Sequence, residues 1–75
     1  MKYIGYLEME VGRFKNFMEK IIEDEDPLIV LETIWAFTNK KGRVGFVYAE
    51  VEPNVFQQVA IMIPIGYLGS VKNHG

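Results

Sequence analysis

Apolar and polar residues alternate along the start of the chain, with Tyr3, Gly5, Leu7 and Met9 on one side and Lys2, Ile4, Tyr6, Glu8 and Glu10 on the other. A period of two predicts a strand over residues 2–10. After Val11 the period lengthens. Phe14, Phe17, Met18, Ile21 and Ile22 recur at helical spacing, with Arg13, Lys15, Asn16, Glu19 and Lys20 opposite them. That pattern predicts an amphipathic helix of about three turns. The run Glu23-Asp24-Glu25-Asp26-Pro27 is expected to end it as a solvated acidic corner, since proline disfavours helix at the residue before it and carboxylates oppose the dipole at a helix C-terminus.

Residues 28–38 are rich in β-branched and aromatic side chains, and Asn39-Lys40-Lys41-Gly42 carries turn chemistry before a second strand-like run at 43–52. The two runs read as a β-hairpin. Pro53-Asn54 then precedes an apolar stretch, with Asn54 as a candidate N-cap and Gln57 at the capping-box position, which predicts a short helix over 54–63; its β-branched content leaves a strand open. Pro64 stops that segment. Ile65 to Val71 read as a last short strand before the polar tail Lys72-Asn73-His74-Gly75. The expected fold is therefore α+β, a ferredoxin-like βαββαβ domain with an antiparallel four-stranded sheet and two helices on one face, in a single domain over 1–75. The repeat of Ile4-Gly5-Tyr6-Leu7 as Ile65-Gly66-Tyr67-Leu68 reads as two strands of similar composition.

Composition adds a constraint from size. A chain of 75 residues buries a modest share of its surface, and it has no cysteine for a disulfide or a thiolate metal site. Oligomerisation is the remaining common support. Hydrophobic residues make up 49% of the chain and ten positions are aromatic, more than so small an interior readily holds. Eight basic and ten acidic residues give a net charge of −2, which lacks the electrostatic footprint of phosphate-backbone binding. The first residues carry no signal-like apolar core and no run is long enough to span a bilayer, so a cytoplasmic protein without a membrane partner is expected.

In the 43–52 strand, Gly45, Val47, Ala49 and Val51 are small and suit packing beneath helices, whereas Val44, Phe46, Tyr48, Glu50 and Glu52 form a larger, mixed face. The 28–38 segment, read as a strand, adds Trp35 and Phe37, and the first strand adds Tyr6 and Glu8. Right-handed crossovers put both helices of a βαββαβ chain on one side, so this aromatic face is left uncovered. It should be closed by another subunit, a ligand or nucleic acid bases. At this point the chain resembles the dimeric α/β-barrel superfamily, whose ferredoxin-like sheets pack face to face around a cavity. The run Gly45-Phe46-Val47-Tyr48-Ala49-Glu50-Val51 looks like the third strand of its small members. The resemblance implies a homodimer or higher even oligomer, and it implies no particular reaction.

The candidate cavity or interface residues are Tyr6, Glu8, Trp35, Phe37, Phe46, Tyr48 and Glu50. Glu8 and Glu50 among aromatics would have raised pKa values, as suits a general base or a polar ligand, unless they pair with Lys2, Lys41 or Arg43 at strand ends. Glu32, between Val30 and Ile34, needs a sheet edge or a buried partner. His74 is the only histidine and lies in the tail, and Ser70 has no histidine nearby; no metal, cofactor or nucleophilic triad is implied. The expected role is a homo-oligomeric binding or assembly domain. One alternative is a cofactor-independent oxygenase or isomerase acting on a small hydrophobic or aromatic ligand. A second is an RNA-recognition module, because Lys41-Gly42-Arg43-Val44-Gly45-Phe46-Val47-Tyr48 is similar to that motif's third strand. Val44 and Ala49 stand where that motif has aromatics, and the net acidity disfavours nucleic acid.

Overall fold

A computed structural model of the chain describes residues 1–11 and 15–65. Along them run two strands, β1 (Lys2–Val11) and β2 (Lys15–Asp24), one helix, α1 (Pro27–Lys41), and two further strands, β3 (Gly45–Glu52) and β4 (Val55–Met62). The strands form one sheet in the order β2-β1-β3-β4, with every neighbouring pair antiparallel. β2 and β3 therefore run parallel to each other on either side of β1, and α1 is the crossover between them. The α+β class and the four-stranded antiparallel sheet agree with expectation. The βαββαβ order does not: the described residues follow ββαββ, with one helix where two were predicted. The strand expected over 65–71 lies outside the described residues except for Ile65.

The 28–38 segment is helical because its two ends are capped. Asp26 accepts a hydrogen bond from the Leu28 N–H at 3.0 Å, and Pro27 takes the first helical position, where its missing N–H costs nothing. At the other end Gly42 adopts φ 66°, and its N–H, with that of Arg43, donates to the Thr38 carbonyl. Lys40 and Lys41 sit favourably in the last turn. The same residues had read as the end of one helix and the turn of a hairpin. Asp-Pro marks a start as well as a stop, and a left-handed glycine closes a helix as readily as it turns a hairpin.

Residues 15–24 reverse in the opposite direction, from predicted helix to strand. Gly5 pairs with Ile22 and Tyr6 with Lys20, so Ile21 is an extra residue in a bulge. That bulge lets Ile21 and Ile22, adjacent in sequence, both pack against the core, which mimics helical spacing. Val59 interrupts β4 in the same way, between Ala60 opposite Val47 and Gln58 opposite Tyr48. Pro53-Asn54, read as a helix start, is instead the two-residue turn of the β3–β4 hairpin. Asn54 there takes φ 62°, a left-handed conformation that asparagine tolerates.

One stripe of α1 meets the sheet. Val30, Ile34 and Thr38, at i, i+4 and i+8, are fully buried, and Val47 joins Val30 and Ile34 in the core beside Tyr3, Ile22, Leu31 and Met62. Glycine makes this approach possible. A Cβ placed on Gly5 would overlap the Ile34 side chain, and one on Gly45 would overlap Thr38 Oγ1 and Ile34 Cγ2. Thr38 Oγ1 is buried there without a hydrogen-bond partner. Thr38→Val removes that desolvated hydroxyl at nearly constant volume, so it is expected to stabilise the domain by about 1 kcal/mol, roughly 4–8 °C in Tm for a chain of this size. A fall in Tm in thermal denaturation would mean the hydroxyl is satisfied.

Candidate functional site

The helix covers one face of the sheet, and the opposite face has no covering element among the described residues. Alternation along β1 and β3 puts Ile4, Tyr6 and Glu8, and Phe46, Tyr48 and Glu50, on that open face. The register adds Met18 and Lys20 from β2 and Phe56, Gln58 and Ile61 from β4. Tyr6, Met18, Tyr48 and Phe56, one from each strand, line a depression of about 370 Å³. The Tyr6 and Tyr48 rings meet edge to face, 5.6 Å apart at 84°, and the Tyr48 hydroxyl donates to Gln58 Oε1 at 3.2 Å. Met18, Phe56 and Ile61 are each roughly half exposed, so the depression and its margin present apolar surface to water.

Five of the seven residues expected at this site are on the open face: Tyr6, Glu8, Phe46, Tyr48 and Glu50. Trp35 and Phe37 are not, because the segment that carries them is helical. Trp35 is 56% exposed and borders a separate groove of about 300 Å³ with Leu31, Glu32 and Met62. Glu32 is exposed on the helix, which removes the need for a buried partner. Met18 and Phe56 escaped the sequence reading because their strands had read as helices. The signal that finds them is cross-strand register, which places Met18 beside Glu8 and Phe56 beside Glu50.

Toward one end of the face Lys2, Lys20, Glu23 and Glu50 pair with one another. Lys2 lies 3.8 Å from Glu23 and 3.5 Å from Glu50, and Lys20 lies 3.4 Å from Glu23. The expected acidic corner is thus part of the scaffold: Glu23 holds two lysines, Asp24 accepts the Asp26 N–H, and Asp26 caps the helix. Glu50 Oε2 also accepts the Asn54 N–H at 2.9 Å. That bond, helped by the nearby Lys2 ammonium, holds the Glu50 carboxyl below the usual glutamate range against the opposing effect of desolvation. The aromatic surroundings had suggested a raised value. The carboxylate is instead fixed as an anion that clamps the β3–β4 turn.

This has a pH consequence with a definite sign. A depressed folded-state pKa contributes stability above the unfolded value, which is lost as pH falls through the folded value. Wild-type Tm should therefore fall more steeply than that of Glu50→Gln as pH drops from neutral through and below the ordinary carboxylate range. Parallel Tm–pH curves would show that the clamp adds nothing.

No helix among the described residues is long and apolar enough to cross a membrane, and no three His, Cys, Asp or Glu side chains among them are grouped to hold a metal ion. No protein-family model matches the chain, no curated protein is significantly similar to it, and no solved structure matches it significantly.

Proposed function

We propose that this chain is a small assembly and binding domain whose open sheet face is buried against a second copy of itself. The observation that carries this reading is the depression formed by Tyr6, Met18, Tyr48 and Phe56 on a face with no covering element among the described residues. Size supports it. The fully or nearly buried apolar residues among those described are Ile4, Leu7, Val30, Ile34, Val47 and Ala49, a core that leaves little margin for a free monomer. The paired lysines and glutamates at one end are neutral as a group, two of each, so they add no net charge to a symmetric contact. An isologous pair of faces would close the two open depressions into one apolar chamber, suited to a small hydrophobic or aromatic ligand.

Two other roles are less well supported by the same surface. A general base is poorly served by Glu50, whose carboxylate is engaged by Asn54 and Lys2. Base stacking on Tyr6, Phe46 and Tyr48 would need cations for phosphate, and Lys2 and Lys20 are each paired with glutamate.

Met18→Lys tests the proposal, because Met18 is 44% exposed and the change costs an isolated monomer little. Placing the lysine of each copy in an apolar contact is expected to halve the molar mass in solution while leaving the far-ultraviolet circular dichroism unchanged. An unchanged mass would remove this face as an interface. A wild-type protein that is monomeric and binds single-stranded RNA at low salt would assign the face to stacking instead.

A further inference from the structure

The two edges of the sheet are guarded very differently. β2, at one edge, carries Glu19, Lys20, Glu23 and Asp24, the charged side chains that keep exposed edges from pairing with other strands. β4, at the other, carries none. From Val55 to Ile63 the sequence Val-Phe-Gln-Gln-Val-Ala-Ile-Met-Ile has no charge and no proline. Within it Val55, Phe56, Val59, Ile61 and Ile63 are all exposed. The bulge at Val59 twists this edge but puts no charge on it.

We propose that β4 pairs antiparallel with β4 of a second copy across a two-fold axis, joining the two four-stranded sheets edge to edge. Its backbone N–H and C=O groups on the side away from β3 have no strand partner among the described residues, and strand addition satisfies them. A second copy fits because an uncharged strand meets itself without like-charge opposition, whereas β2 against β2 would bring glutamates and lysines into forced register. Among the described residues the chain after β4 leaves that edge for the helix: Ile65, the last of them, donates its N–H to Asn39 Oδ1 at 3.1 Å. Edge pairing is independent of the face contact and, combined with it, gives each chain two isologous interfaces and a tetramer.

The test introduces the missing charge. Gln57→Lys and Val59→Lys both alter exposed positions on β4 and should leave the helix signal unchanged. Each is expected to halve the wild-type molar mass and to speed hydrogen exchange of β4 amides to that of an unpaired edge. Met18→Lys, which acts on the face, should leave β4 protected. Wild-type mass retained in both β4 variants would overturn the proposal, as would β4 amides that exchange freely in the wild type. Protection of β4 in a protein that is monomeric would also overturn it, and would assign the edge to the chain's own remaining residues. A mass halved by the β4 variants and unmoved by Met18→Lys would uphold the edge and sink the face.

Discussion

Gly45→Ala lowers the stability of the domain by about 1–3 kcal/mol, or roughly 4–8 °C of Tm for each kcal/mol, although alanine is ordinarily the better strand residue. The sign follows from where the methyl group must go. It overlaps Thr38 Oγ1 and Ile34 Cγ2, both attached directly to β-branched carbons of buried helical residues, which cannot swing aside without lifting α1 from the sheet. Gly5→Ala acts in the same direction through Cγ1 and Cδ1 of Ile34, with Ile22 Cγ2 3.1 Å from the new carbon. Coupling separates this mechanism from a general loss of strand quality. In an Ile34→Val background, which lacks Cδ1 and keeps the core otherwise filled, Gly5→Ala should cost less than in the wild type, a non-additivity measurable in a double-mutant cycle. Additive costs would mean that the helix does not approach the sheet at Gly5.

Ile34→Ala is the second large effect. Truncating a fully buried isoleucine costs about 2–5 kcal/mol, while a domain of this size rarely holds more than about 3–5 kcal/mol in all, so the variant should be largely unfolded at 25 °C. Its neighbour behaves differently. Trp35, more than half exposed on the outer side of α1, should tolerate Trp35→Ala at well under 1 kcal/mol in chemical denaturation. The contrast follows from the helical period, in which Val30, Ile34 and Thr38 share the buried stripe. If 28–38 were a strand with Trp35 on a closed aromatic face, both truncations would be severe.

These substitutions also show what the sequence made legible. β1 and β3 were visible as period-two runs, and the partition of β3 into a small-residue face and an aromatic face was right, because alternation survives wherever no bulge interrupts it. From that alternation five of the seven site residues could be placed together. The bulges at Ile21 and Val59 broke the same rule, hiding β2 and β4 and with them Met18 and Phe56. The helix was hidden for a different reason. Its β-branched and aromatic content favours a strand, and its outer side keeps Leu28, Ile29 and Trp35 exposed, so no polar face announces it. Capping by Asp26 and Gly42, and the close seating of Ile34 over two glycines, outweigh that local preference. Glu50 shows the limit for chemistry. Its strand position was readable, but its hydrogen bond to Asn54 depends on a turn that had read as a helix start.

In the proposed assembly the face carrying Tyr6, Met18, Tyr48 and Phe56 lies against the same face of another copy. The most direct measurement is an isotope-filtered nuclear Overhauser experiment on a mixture of labelled and unlabelled chains, which sees only contacts between copies. Face-to-face packing predicts intermolecular cross-peaks from the Met18 methyl group to the rings of Tyr48 and Phe56. Cross-peaks confined to the outer side of α1, around Leu28 and Trp35, or none at all, would contradict it.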